Sequence, residues 1–258
     1  MRVFPYSLLV STAIAVLALY GTGYSAPKPK DIVNLASPIT VEQLSASAKN
    51  LESIALAFHN YHDAHGTMPT NVLSKDKKPV LSWRVQILPY FPDGGPLAPP
   101  DKPVVREDKL YKSFKLDEPW DSEHNKKLID KMPRMYAPVR GKFESGLTFY
   151  QAFGGTNGWL KAGARLVASF PDGTSNTFLA AEAAKPVVWT KPDDMEFNGK
   201  DVPALGGLFD GRFHAAMVSG DVRRFRKGVA ANILKLLVDP ADGTVLPEDY
   251  GLDTEDKK

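Results

Sequence analysis

Hydrophobic positions recur most regularly between Thr40 and Gly66. Leu44, Ala48, Leu51, Ile54, Ala55, Phe58 and Tyr61 fall three and four residues apart, the spacing that lines side chains along one stripe of an α-helix. The start of this helix is marked as well. Thr40 and Gln43 have the spacing of a capping box, in which the hydroxyl accepts from the backbone at the third helical position and the glutamine reaches back. Ile39 and Leu44 are placed to close a hydrophobic staple around it, and Gly66 and Pro69 mark the end. Such a helix needs an apolar surface to lie on.

The rest of the chain supplies strands for that surface. Residues 147–153, 165–169, 177–181 and 213–219 are short apolar runs bounded by Gly, Asn, Asp or Pro, and each predicts a strand. Ser219-Gly-Asp-Val222 predicts a hairpin, with Gly220 first in a two-residue type II′ loop that pairs the preceding run with Val222-Arg-Arg-Phe225. A last helix is expected over 229–238 with Ile233, Leu234, Leu237 and Val238 inward. The run 81–88 fits two descriptions: its alternation suits a strand, whereas Trp83, Ile87 and Leu88 also share a helical face. Together these elements predict an α+β domain.

The first residues read as a secretory signal. Arg2 gives a small positive start, residues 7–20 are apolar and uncharged, and Gly21-Thr-Gly-Tyr-Ser-Ala26 offers small residues for a peptidase, with cleavage after Ser25. An apolar run of about 14 residues falls short of the roughly 20 needed to cross a bilayer. The expected organisation is a signal peptide over 1–25, a linker over 26–39, the α+β domain over 40–240 and a polar C-terminal tail over 241–258. The expected location is periplasmic, cell-surface or secreted, with no stable membrane span after cleavage.

Composition narrows the function classes. The chain has no Cys, which excludes disulfides, a lipid-modified cysteine and a thiol nucleophile. Its 32 Lys and Arg are interspersed with 30 Asp and Glu, so no basic field calls for nucleic acid. The 21 prolines gather around 89–103 and 185–203 and predict long ordered loops. Walker, Gly-x-Ser-x-Gly, His-Glu-x-x-His and dinucleotide signatures are all missing, and no enzymatic activity is expected. Carboxylate pairs that only the fold would assemble escape this reading.

Several ordered segments carry a resemblance. Lys49-Asn-Leu-Glu-Ser-Ile-Ala-Leu-Ala-Phe-His-Asn-Tyr-His-Asp63, Gly66-Thr-Met-Pro69 and Ser82-Trp-Arg-Val-Gln-Ile-Leu-Pro-Tyr90 come first. Leu116-Asp-Glu-Pro-Trp-Asp-Ser-Glu-His-Asn125, Asp172-Gly-Thr-Ser-Asn-Thr177 with Glu182, and Trp189-Thr-Lys-Pro-Asp-Asp194 follow. From about Val41 to Val238 the chain resembles the planctomycete secreted family catalogued as domain of unknown function 1559. That resemblance implies a pilin- or pseudopilin-like α+β domain, a long N-terminal helix packed on an antiparallel sheet, with no assigned activity. The chain departs from the family pattern in three places. It lacks the prepilin leader and anchoring helix. The His and Asp-Gly motif near Phe213 has a shortened spacing, with Gly220-Asp221 in reversed order. Ala137-Pro138 stands where relatives often carry Cys.

The candidate chemistry is sparse. His59, His62 and His65 recur three apart at the end of the first helix, but six residues turn a helix by about 600°, so all three cannot converge on one metal while it stays intact. Asp117, Glu118 and Asp121, with Glu123 nearby, crowd around Pro119-Trp120 and form a calcium candidate, the only cofactor indicated. The competing reading has Asp121 or Ser122 capping a short helix through Ile129. Asp172-Gly-Thr-Ser-Asn176 and Gly154-Gly-Thr-Asn-Gly158 read as turns. Trp83, Trp120, Trp159 and Trp189 either stack on sugars or anchor the core. The expected role is an exported, non-enzymatic structural or interaction module of the cell envelope, with envelope proteins or glycans as partners. The alternative is a solute- or glycan-binding domain, with calcium as a possible requirement.

Overall fold

The computed structural model describes residue 35 and residues 37–91 and 107–253. By its contacts the chain divides into Met1–Lys30 and Asp31–Lys258, and every described residue lies in the second unit. The expected signal segment and most of the linker therefore lie outside the described residues.

The first helix, α1 (Val41–His65), starts and stops where its sequence predicts. Thr40 Oγ1 accepts from Gln43 N and Gln43 Oε1 accepts from Thr40 N, which completes the capping box. Gly66 closes the other end in the left-handed region at φ 71°, a conformation glycine adopts without a Cβ penalty. Ile39 and Leu44 pack on the same small cluster of Phe149, Leu208 and Phe209. Just before the helix the chain is pinned by Arg140. Its Nη1 donates to Leu208 O at 2.6 Å, and its Nη2 donates to Leu35 O at 2.8 Å and Ser37 O at 2.6 Å.

After α1 come a small two-stranded ribbon, β1 (Val72–Leu73) and β2 (Pro79–Leu81), and a single-turn helix, α2 (Trp83–Gln86). The ambiguous run 81–88 thus ends a strand and then turns helical, because Ser82 Oγ caps Arg84 N at 3.2 Å. A further short helix, α3 (Glu107–Ser113), leads into 3₁₀ turns over Asn125–Lys131 and Arg134–Tyr136.

The main sheet is built from β3 (Leu147–Gly154), β4 (Phe178–Val188), β5 (Met195–Glu196), β6 (Phe213–Met217) and β7 (Val222–Phe225) in the order β5-β3-β4-β6-β7. Helix α4 (Ala231–Val238) follows β7, with Leu237 and Val238 buried. An antiparallel sheet is expected, and four of the strands pair that way. The short β5 runs parallel to β3, so the sheet is mixed. Leu51, Ile54, Ala55 and Phe58 of α1 enter the core cluster together with residues of β3, β4 and β6. The α+β class follows from this arrangement.

Two local expectations are corrected. Residues 165–169 form a turn, not a strand: Arg165 N donates to Ser169 Oγ, Ser169 N donates to Arg165 O, and Val167 sits at φ 68°. The turn between β6 and β7 is closed by Met217 and Asp221, with three residues between them rather than two. Met217 N donates to Asp221 O at 2.8 Å, Gly220 N donates to Met217 O at 2.9 Å, and Gly220 takes φ 100°. Gly220 is therefore the last loop residue, supplying the left-handed step of a bulged hairpin.

Candidate functional site

Glu182 lies in the apolar run Phe178-Leu-Ala-Ala-Glu-Ala-Ala184 on β4, the central strand, and is 0% exposed. A carboxylate in that position is tolerated only when it is hydrogen-bonded. Ser47 Oγ donates to Oε1, the backbone N–H of His214 donates to Oε2 at 2.7 Å, and His214 Nδ1 stands 3.3 Å from the same oxygen. Tyr150, the cross-strand partner of Glu182 on β3, extends the network. Its hydroxyl lies 2.8 Å from Ser47 Oγ and accepts from Asn50 Nδ2 at 3.1 Å. Burial, and then the neighbouring Glu182, push the Tyr150 phenol well above its ordinary range.

Ser47, Glu182 and His214 are the residue types of a hydrolytic triad, but their order is wrong for one. A nucleophile needs its hydroxyl on the imidazole and the imidazole on the carboxylate. Here both the hydroxyl and the imidazole end on the carboxylate, and no hydrogen bond joins Ser47 to His214 among the described residues. Each of these side chains is under a tenth exposed. The arrangement clamps α1 to β3, β4 and β6.

A second buried network adjoins the first through Tyr150. Arg84 of α2 donates from Nε to Tyr150 O at 2.9 Å, from Nη1 to Ser82 Oγ at 2.7 Å and from Nη2 to Asp194 Oδ1 at 2.8 Å. The same Asp194 oxygen accepts from Trp83 Nε1 at 2.9 Å and from Ala152 N at 3.0 Å. Tyr136 Oη donates to Arg84 O at 2.9 Å. Burial raises the Asp194 carboxyl above its ordinary value, against the opposing pull of Arg84. Sequence reasoning passes over Glu182, His214, Arg84 and Asp194 as site residues. The available signal is a single charge isolated within an apolar run, as at Glu182 and Arg84.

The residues singled out from the sequence are placed differently. His59 Nε2 meets Val218 O at 3.0 Å, His62 Nε2 accepts from Leu166 N at 3.3 Å, and His65 bonds the Tyr90 hydroxyl. The three thus serve three separate loops. Asp117 and Asp121 are exposed, and Glu118 pairs with Lys115 Nζ at 2.8 Å, which holds its carboxyl below the ordinary range. Asn125 fills the inside of that acidic loop: its Nδ2 donates to the carbonyls of Lys115, Glu118 and Pro119, and its Oδ1 accepts from Lys115 N. Among the described residues no group of three His, Cys, Asp or Glu side chains is arranged to hold an ion. Trp83, Trp159 and Trp189 are fully buried, which leaves only Trp120 with ring surface to offer. In the turn after β3, Gly155 takes φ 84°. Asp172 uses its carboxylate to cap Asp242 N and Gly243 N at 2.7 and 3.0 Å.

Residues 45–140 match the model of a family described as Protein of unknown function (DUF1559). The matched stretch runs from the second turn of α1 to Arg140, and so contains Ser47, Asn50 and Arg84 while leaving out the strands that carry Tyr150, Glu182 and His214. Neither the curated proteins nor the solved structures gave a match. Among the described residues no helix is long and apolar enough to cross a membrane.

Proposed function

We propose that this protein is an exported, non-enzymatic structural or interaction module of the cell envelope, pseudopilin-like in architecture, whose partners are envelope proteins or glycans. The observation that carries the reading is the placement of the side chains that have the residue types of a catalytic set. Ser47, Tyr150, Glu182 and His214 are buried in the contact between α1 and the sheet and are consumed by one another. Chemistry of that kind builds rigidity into a scaffold and leaves recognition to the surface. The export half of the reading rests on the charged, apolar and small-residue pattern of residues 1–26.

Fractionation of the native host tests both halves. The expected result is a protein whose N-terminus begins near Ala26 by mass spectrometry and which co-purifies with envelope material. Recovery of an intact Met1 N-terminus in a cytoplasmic fraction would remove the export reading. Recovery only as a free monomer in the soluble exported fraction would remove the interaction reading.

A further inference from the structure

The outer edge of β7 offers a row of backbone groups with no neighbouring strand of the main sheet beside it, and an outer strand of that kind is a template for another extended segment. Here residues 249–253 take the place. Arg226 N donates to Gly251 O and Asp253 N donates to Arg224 O, both at 2.9 Å, and Leu252 bridges Phe225 in antiparallel fashion.

Three arginines add side-chain recognition to this backbone pairing. Arg224 Nε lies 3.0 Å from Asp253 Oδ2. The Arg226 guanidinium grips Asp249 with two bonds, 2.6 and 2.8 Å, a fork geometry suited to carboxylates. Arg223 Nη1 donates to Tyr250 Oη at 3.1 Å and its guanidinium stands 5.8 Å from the Tyr250 ring centre. Tyr250 and Leu252 rest on the core. The stretch leading to this segment, residues 241–248, has no regular secondary structure and is largely exposed. Beside the end of β7 lies a depression of about 450 Å³ of mixed charge, lined by Asp210, Arg212, Arg226, Lys227 and Asp253, in which Lys227 pairs with Asp210 at 3.0 Å.

We propose that the outer edge of β7 is a strand-addition site for extended acidic peptides bearing an Asp-aromatic-x-apolar-Asp pattern, and that residues 249–253, Asp-Tyr-Gly-Leu-Asp, are its intramolecular occupant. The proposal deepens the interaction reading by naming the surface and the class of partner. The tethered segment has the advantage of a high effective concentration. A partner gains access when its own contacts run on beyond those of the segment into the depression.

A labelled synthetic peptide of residues 246–258, titrated into the full exported chain and into the same chain carrying Asp249→Lys and Tyr250→Ser, tests this. The unaltered chain is expected to bind at least roughly tenfold more weakly than the double variant, because its own segment holds the site. Binding to the variant is expected to weaken as salt rises and to fall sharply when Arg226→Ala is added. Hydrogen exchange at the Arg226 amide is expected to quicken in the double variant. A folded double variant that binds no peptide, or that binds a scrambled peptide equally well, overturns the proposal. So does an Arg226 amide that stays as protected as in the unaltered chain. These measurements use purified components. Peptide binding without envelope partners would leave this site standing and remove the envelope role, and the reverse result would remove only the site.

Discussion

Asp194 receives Arg84 on a single oxygen: Nη2 stands 2.8 Å from Oδ1, and the two side chains are 0% and 2% exposed. That oxygen also accepts from Trp83 and Ala152, so the carboxylate joins α2 to the ends of β3 and β5. Removing one member of a buried ion pair leaves the other charge without compensation, at a cost of about 3–5 kcal/mol. Asp194→Ala and Arg84→Met are each expected to lower the unfolding free energy, measured by urea denaturation, by that amount. The double variant is expected to lose less than the sum, because neither charge is then stranded. Equal and additive losses would show that the two residues act independently.

The Tyr150 phenol gives a signature at alkaline pH. Its ordinary value is 10.0, and burial beside Glu182 raises it in the folded protein. A group whose folded value is raised contributes stability fully below its unfolded value and loses it as pH climbs toward the folded one. Stability is therefore expected to fall above about pH 10, where the unfolded chain ionises this tyrosine and the folded chain does not. Tyr150→Phe is expected to cost about 1–2 kcal/mol at neutral pH for the lost bonds to Ser47 and Asn50, and to flatten part of the alkaline decline. Denaturant melts of both proteins across that range make the comparison. Parallel pH profiles would place the effect elsewhere.

For the acidic loop, the decisive comparison sets calcium against Asn125. The Asn125 amide already donates to three carbonyls of this loop. Calcium in the millimolar range followed by chelator is expected to leave the thermal midpoint unchanged, whereas binding to the folded state alone would raise it with concentration. Asn125→Ala, which removes the four hydrogen bonds made by this buried side chain, is expected to cost about 2–3 kcal/mol.

Gly158 and Gly163 separate two reasons for glycine. A methyl group at Gly158 would overlap the carbonyl oxygens of Phe153 and Gly154, which are backbone atoms and cannot swing aside. Gly163 has open space around it but takes φ 79°. Gly158→Ala is expected to cost about 3 kcal/mol by overpacking, and Gly163→Ala about 1–2 kcal/mol by backbone strain alone. Chemical denaturation ranks them, and the opposite order would refute the assignment.

What could be read in advance follows the range of the interactions. The caps of α1 are local: Thr40 speaks to Gln43 and Gly66 to His62, so both ends are visible in a few consecutive letters. Residues 165–169 misled because the apolar run Leu166-Val-Ala168 is real but is overridden by Ser169 closing back on Arg165. Strand β4 runs on to Val188, past the predicted end, since pairing with β3 resumes at Val187 and Val188 beyond an irregularity. The buried networks were out of reach for a plainer reason. Ser47 and Glu182 are 135 residues apart, and Arg84 and Asp194 are 110 apart. No window along the sequence brings such partners together.

The polar inner face of α1 has a mechanical consequence. A helix resting on a sheet through aliphatic side chains alone can creep along it, because one greasy contact replaces another at little cost. With Ser47 on Glu182 and Asn50 on Tyr150, a slide of one turn, about 5.4 Å, would set Leu51 against the carboxylate and strand it. The helix therefore has one permitted position, like a key in a lock. A pull applied ahead of Thr40 would be borne by the sheet as a whole until the helix came away in a single step.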